Sequence, residues 1–555
     1  MERRTLIRQT YKQFDKLILL VLIGLVGLFI VYPIVSIVAF SFRSGGEFSL
    51  THYQSIFSPA NRKLIWHSLW TASSAAFFST VVAVMISLSA VLSGPRWQKG
   101  LEKAVMISMI SPPFVSSLAF IILFGRRGLI TYGLLGLSLN PYGPQSIVLL
   151  QALGGIAFAS LLLFANLEQI DLFQVLASRD LGAKGQHTLK DIIFPALRPG
   201  ILSAFFVLFT MNIADFSTPI IVGGSFKTLA TEAYLIAVST PNLGQAAAIS
   251  VLMVPSALIA FYFYRRNMRL GQTIGAKRSI KDIDLGLRLP GWLRLIIFLP
   301  AISYFIITLL KYGVILVSAF ANTSSGRIKW TLDYARTLPP NNLAAIGRSV
   351  GYSLIAALAA TIIGLLISWY THRRRLPLME GVEFLTSLPY IIPGTFFGLG
   401  YVAAFSSQPL MLRGTAIILI TNYCFRQLSV PIKAANTTFS MLDRSIDRAA
   451  KDLGASELQT FWTVLLSPLR TAFINSFITV FTSSMMAVGA IAFIVSPGRT
   501  VASMELFRSV GQGRYGLASF QAVLLIVIIF VFNLILLLFK DRKGGRDVSR
   551  TKRSK

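Results

Sequence analysis

The chain has 555 residues, 54% hydrophobic and 13% charged, with mean hydropathy +0.67 and a formal net charge of +30. A water-soluble domain carries about 25% charged residues, so the composition excludes a soluble globular protein and makes lipid the solvent. A single cysteine, Cys424, excludes a disulfide framework, and His52, His67, His187 and His372 lack metal-ligand spacing. The Lys and Arg surplus comes without a soluble fold to present it to nucleic acid; it fits the cytoplasmic enrichment of membrane proteins.

A helix needs about 20 apolar residues to cross the hydrocarbon core. Residues 17–42, 64–92, 104–125 and 145–167 contain no Asp, Glu, Lys or Arg. Residues 199–226 contain only Asp215, and 242–264 none. After a basic stretch the pattern resumes over 295–320 (with Lys311), 349–371, 384–412, 414–432 (with Arg426), 471–498 and 515–539. This predicts an all-α membrane protein with twelve transmembrane helices. The first span is too long, and lacks the small-residue cleavage site, for a removable signal peptide. The head with Arg3, Arg4, Arg8, Lys12 and Lys16, the segment 265–294 with eight basic residues, and the tail from Lys540 all fall on one face. The positive-inside rule puts that face, and both termini, in the cytoplasm. Residues 271–292, with Gly271, Gly275, Gly286, Pro290 and Gly291, read as a linker between halves.

Positions 177–199 read ASRDLGAKGQHTLKDIIFPALRP, and 449–470 read AAKDLGASELQTFWTVLLSPLR. Gly182 and Gly454 set an offset of 272, which also pairs Arg198 with Arg470, Phe205 with Phe477 and Phe209 with Phe481. Each polar stretch lies between the fourth and fifth spans of a six-span half. Six is even, so the duplication is parallel. Each stretch predicts two short amphipathic helices joined by a bend at Gly182-Ala183 or Gly454-Ala455, with Pro195 or Pro468 ending the second helix. Such a helix can enter a groove on a cytosolic protein or rest on lipid. The short apolar faces and the repetition of A-[SA]-[RK]-D-L-G-A favour docking to a common partner.

These residues resemble the EAA loop of type I ABC-transporter permeases, in which Glu-Ala-Ala, three residues, Gly and a later Leu-Pro form the coupling helix. Ala449, Ala450 and Gly454 match that pattern, as do Ala177 and Gly182, with Ser178 for the second Ala. The Glu position is Leu176 in one copy and Arg448 in the other, and Ser467-Pro468 shifts the proline by one place. The resemblance implies two tandem six-helix permease units, 1–270 (core 64–264, coupling loop 168–199) and 293–540 (core 346–539, coupling loop 433–470), with a basic tail at 541–555. It implies that Ala177, Ser178, Gly182, Ala183, Ala449, Ala450, Gly454 and Ala455 couple to two copies of a cytosolic ATPase. It also implies a bacterial plasma (inner) membrane location and an extracytoplasmic solute-binding protein. Ile110-Ser111-Pro112-Pro113 and Ser387-Leu388-Pro389-Tyr390 correspond in the two halves, and Pro112-Pro113 and Pro389…Pro393 are expected to break the third spans.

Asp215-Phe216-Ser217-Thr218-Pro219 with Gly223-Gly224, and Ser496-Pro497-Gly498 with Gly513-Arg514-Tyr515-Gly516, resemble segments of the ferric-iron uptake branch. That likeness implies ferric iron or an iron chelate as solute; sugar phosphate, phosphonate and thiamine permeases are related alternatives. Asp215 is the only carboxylate within a predicted span, too little for a naked ferric site. The outward segments carry a cationic surplus, including Arg126, Arg127, Lys227 and Arg514, suited to an anion or to ordinary headgroup contact. Met211, Asn212, Asp215 and Ser217 in one fifth span, and Ser483, Ser484, Met485 and Met486 in the other, are expected to face the pathway, although Asp215 equally suits a cap at a helix break. Arg426 suits snorkelling or interhelical pairing, and Lys311 snorkelling. No G-x-x-x-x-G-K-[ST] occurs, so ATP and Mg would sit on partner subunits, with no cofactor, metal site or catalytic residue in this chain. An ion-coupled secondary transporter is the competing class, and a membrane scaffold a third; both leave the repeated loops unexplained.

Overall fold

The computed structural model describes residues 2–553 apart from 60, 113, 139, 241, 242, 273–282 and 284. Half of the expected linker, and Pro113 of the expected third-span break, therefore lie outside the described residues. The described chain is helical except for two short antiparallel hairpins, Arg43–Ser44 with Glu47–Phe48 and Ala321–Asn322 with Lys329–Trp330. Each hairpin follows the first span of a half.

Among the described residues, ten helices are long and apolar enough to cross a membrane. An eleventh span is formed if Pro377–Ile391 and Gly394–Phe405, bent by 112°, count as one. The break falls at Pro393, which caps the second helix, whereas Pro389 lies inside the first. The remaining expected span, 414–432, is two shorter helices, Ala416–Arg426 and Ser429–Met441. In the first half the third span divides into Pro95–Ser108 and Val115–Phe124, on either side of Pro112. The fifth spans begin earlier than expected. Gly185–Ile213 and Glu457–Met485 run on through Pro195 and Pro468, which end no helix. A wider π turn precedes each proline, Leu189–Ile193 and Phe461–Leu465, and accommodates the missing N–H donor and the bulk of the ring.

The chain forms two compact units, and neither is a contiguous half. The first comprises Ser41–Pro339 and Glu505–Ile526; the second comprises Met1–Phe40, Pro340–Met504 and Val527–Lys555. The division at 1–270 and 293–540 thus differs from the packing, because the first span of each half is built into the unit holding the other half's core.

In the first unit, Arg62–Val91 presents a stripe of small buried residues, Ala72, Ala75, Ala76, Ser79 and Ala83, to its neighbours. Lipid gives helices no hydrophobic reason to associate, so close packing must supply it. A Cβ at Gly155 would meet Ser79 Oγ at 2.7 Å and Leu208 Cδ2 at 2.9 Å. Ile297, Ala301 and Tyr304 of the helix Gly291–Ala319 enter the same core. Tyr304 Oη lies 3.0 Å from Ser108 Oγ, and Tyr312 donates to the Ser108 carbonyl at 3.1 Å, at the break in the third span. The opposite face of that helix, with Leu295, Leu299, Ile302, Ile306 and Leu309, is exposed, as lipid contact requires. Residues 285–290 form neither helix nor strand and turn at Gly286, whose φ is 56°; Leu285 is buried in this core with Ile283, Leu287 and Leu289 packed beside it.

The second unit repeats the small-residue stripe on Pro340–Ser368, where a Cβ at Gly364 would meet Pro431 Cγ at 2.6 Å. The N-terminal span is tied in by Tyr401, which donates to the Phe29 carbonyl at 2.9 Å, and by the stacked rings of Phe29 and Phe425. Asp15 accepts from Arg374 Nη1 at 2.7 Å on both oxygens and from Tyr370 Oη at 2.8 Å. Asp15→Asn weakens these charge-assisted bonds, with a cost of about 2 kcal/mol. A melting temperature several degrees lower in detergent is expected, with Asp15→Glu intermediate; an unchanged value would mean that Asp15 does not anchor the N-terminal span.

Candidate functional site

The two polar repeats fold alike at the same offset of 272. Leu172–Asp180 and Ser445–Asp452 form the first short helices, Gly185–Thr188 and Glu457–Thr460 the second, and each π turn then leads into a long span. Asp171 caps the first helix by accepting from the Phe173 N–H at 3.1 Å, and Asp443 likewise accepts from Ser445 N–H at 2.8 Å. That backbone donor, first among its causes, holds the Asp443 carboxyl below its ordinary range.

The bend is a Schellman motif in both copies. Ala183 N–H bonds the Ser178 carbonyl at 3.1 Å and Gly182 N–H that of Arg179 at 2.8 Å. Ala455 N–H bonds Ala450 at 3.0 Å and Gly454 N–H bonds Lys451 at 2.9 Å. Gly182 and Gly454 have φ of 82° and 84°, and a Cβ on either would meet nothing within 4 Å. Both glycines are therefore required for conformation, and their outer surface is open.

Ala177, Gly182, Ala449 and Gly454 are exposed, Ser178, Ala183 and Ala455 half-buried, and Ala450 buried. Leu181 and Leu453, beside the glycines, are 88% and 90% exposed. The Schellman turn directs both leucines outward, away from the buried faces of the short helices. The sequence signal was their invariant place before Gly in the two copies.

The loops differ in what braces them. In the first, Ser178 Oγ lies 3.0 Å from Thr188 Oγ1, and Arg179 donates to the Leu285 carbonyl at 2.5 Å. A Cβ on Gly185 would meet the Arg288 carbonyl at 2.5 Å. Between this loop and residues 286–290 lies a cavity of about 860 Å³ lined by Arg179, Lys184, Gln186 and Arg288 among others. In the second, Arg373 pairs with Asp447 at 2.6 Å and donates to the carbonyls of Leu442 and Asp443 at 2.8 and 2.6 Å. Lys451 and Glu457 bridge the two short helices at 2.7 Å, and Ser456 and Gln459 form a capping box.

The expected pathway residues cluster where the fifth spans end. In the first unit Met211 is exposed, and Asn212 is buried with its Nδ2 unpartnered. Asp215 Oδ1 accepts from Ser217 N–H at 2.9 Å, Ser217 Oγ at 2.7 Å and Thr218 N–H at 3.2 Å, while Oδ2 accepts from Gln151 at 3.2 Å. Asp215 is thus the cap of the short helix Ser217–Val222, held by a fourth-span residue that the sequence had not singled out. In the second unit Ser483 and Met486 are half-buried, and Ser484 and Met485 are buried. Ser484 occupies the place of Asn212, and its Oγ is also unpartnered. Among the described residues no group of three or more His, Cys, Asp or Glu side chains is arranged to hold a metal ion.

Residues 79–269 match the family model described as binding-protein-dependent transport system inner membrane component. The ferric transport system permease protein of Actinobacillus pleuropneumoniae is 30% identical over 553 residues, 94% of this chain and 78% of that protein. The putrescine transport system permease protein PotI of Escherichia coli is 27% identical over 220 residues, 38% of this chain and 78% of the relative. The thiamine transport system permease protein of Salmonella typhimurium is 22% identical, with 69% of this chain and 73% of that protein covered.

A side chain other than Gly, or in part Asn, at a φ near +80° costs about 1–2 kcal/mol. Gly182→Val and Gly454→Val should therefore loosen the bends, visible as new proteolytic cleavage within 177–186 or 449–458, while Gly→Asn at either place stays protected. Equal protection of the Val and Asn variants would argue against the left-handed turn.

Proposed function

Because the chain belongs to the inner membrane components of binding-protein-dependent transport systems, we propose that it forms the entire membrane pathway of an ATP-driven importer, with ferric iron in chelated form as its solute. The ferric permease relative, matched across nearly the whole chain, supports the solute class. Ferric ion wants several oxygen anions. Asp215, the carboxylate among the expected pathway residues, already accepts four hydrogen bonds, which favours a chelate over the bare ion.

One observation carries the mechanism: two loops, alike in every helix boundary from Gly185 and Glu457 onward, each offering one outward leucine beside a left-handed glycine. Two identical knobs call for two copies of one partner. Each knob is an apolar anchor on a rigid turn, the arrangement by which a helix enters a groove. In this reading both loops face the cytoplasm with the termini, and an ATPase subunit seats each of Leu181 and Leu453. Each loop continues without interruption into a fifth span, Gly185–Ile213 or Glu457–Met485. Movement of a docked ATPase therefore acts on the far ends of those helices, at Met211, Asn212, Asp215 and Ser217 and at Ser483, Ser484, Met485 and Met486, which we assign to the pathway. A soluble binding protein delivers solute to the opposite face.

Proteoliposomes containing this chain, its ATPase and its binding protein should accumulate radioactive iron only with ATP inside the ATPase-facing compartment. Uptake by the chain alone under a proton or sodium gradient would overturn the reading. The double variant Leu181→Asp/Leu453→Asp should lose at least ~90% of co-purifying ATPase, because a charge in an apolar groove costs a few kcal/mol, while each single variant retains one copy. Full retention by the double variant would exclude the leucines as anchors.

A further inference from the structure

Arg426 ends the helix Ala416–Arg426, near the middle of the run to Met441, and among the described residues it has no hydrogen-bond or ion-pair partner. Neither expected role, snorkelling or pairing, fits its surroundings. Its guanidinium lies flat on Gly394, the first residue of the helix Gly394–Phe405: a Cβ there would meet Nη2 at 2.6 Å and Cζ at 3.0 Å. Nη1 is 3.8 Å from the same construction on Gly489, in the break that follows the fifth span. The guanidinium therefore lies at the junction of three interrupted spans, where a side chain on Gly394 would displace it and one on Gly489 would touch it.

Among the described residues, two buried polar groups adjoining this junction are unpartnered, an amide donor and a hydroxyl. Asn422, one turn before Arg426 on the same helix face, is 1% exposed, and its Nδ2 has no acceptor. Thr395, next to Gly394, is fully buried with Oγ1 unpartnered. The helix start at Gly394 adds backbone N–H groups and the positive end of its dipole. Residues 384–441 contain no Asp or Glu, and the two acids earlier on the bent span are engaged elsewhere: Glu380 is exposed and Glu383 accepts from Asn436 at 2.8 Å. A guanidinium, an amide N–H and a helix start, all unneutralised in lipid, match the planar oxygens of a carboxylate or phosphate.

We propose that Arg426, with Asn422, Thr395 and the first turn of Gly394–Phe405, is an anion site of the second unit that takes a carboxylate or phosphate oxygen of the transported solute. This rests on the importer reading and narrows its solute to an anion or an anion-bearing complex. In the first unit a fourth-span residue also reaches the fifth-span break, where Gln151 donates to the Asp215 carboxylate at 3.2 Å.

The full chain in neutral-lipid nanodiscs is titrated with citrate and with inorganic phosphate while its melting temperature is followed. At least one anion should stabilise it saturably. Arg426→Gln should abolish that response while leaving the ligand-free melting temperature unchanged or higher, since an unpaired charge has been removed, and Arg426→Lys should keep part of the response. In the complete transporter, Arg426→Gln should lower ferric citrate uptake at least ~10-fold with the ATPase still bound. No anion response in the wild type, an equal response in Arg426→Gln, or a lower ligand-free melting temperature with uptake unchanged would overturn the site. So would a response seen only with phosphatidylglycerol in the disc, which would assign the charge to a lipid headgroup. If the wild type responds to citrate or phosphate yet takes up no iron, the iron reading fails and the anion site stands.

Discussion

Lipid offers no hydrogen bonds, so each place where a spanning helix breaks must find its donors and acceptors inside the protein. The breaks and their internal partners organise this fold. The Ser108 carbonyl at the third-span break takes the Tyr312 hydroxyl, the start of Ser217–Val222 takes Asp215, and the Ala487 carbonyl takes the Ser503 hydroxyl at 2.7 Å. The same requirement explains why the partners come from spans distant in sequence. A broken helix is tolerated only against a neighbour that brings a polar group to that depth, and small-residue stripes let the neighbour approach.

Seen this way, the exchange of first spans between halves has a definite physical role. The helix Gly291–Ala319 brings Tyr304 and Tyr312 to the interrupted third span of the first unit. The N-terminal span brings Asp15 to Tyr370 and Arg374, and the Phe29 carbonyl to Tyr401, in the second. Each compact unit is therefore completed by a helix encoded in the other half, and a chain cut at residue 270 would separate both units from a part of their own core.

Much of this was legible in the sequence. The offset of 272 fixed the equivalent loops, and their small residues and glycines foretold the bends. The apolar runs located nearly every span. What stayed hidden was tertiary. Periodicity does not say which core a lipid-facing helix joins, so the exchange of first spans left no trace in composition. The run 414–432 is apolar enough to read as one span, yet Arg426 and Gln427 interrupt it, and nothing local announced that the guanidinium would settle on Gly394. Residues 285–290, LGLRLP, fall within the expected linker because of their charge and glycine. The spacing of Leu285, Leu287 and Leu289 was the available signal of a half-buried strap. Prolines 195 and 468 misled in the other direction, because a π turn absorbs a proline that a regular helix would reject.

That strap makes the two loops mechanically unequal. Arg179 is bonded to the Leu285 carbonyl, Gly185 lies under Arg288, and the chain passes from Pro290 directly into Gly291–Ala319. A load applied at the first loop is shared with a second tether running in parallel with the fifth span, whereas the second loop transfers its load through Arg373 to the end of Pro340–Arg373. Joining two bundles in one polypeptide has thus braced its two loops unequally, and equal forces on them would displace them by different amounts.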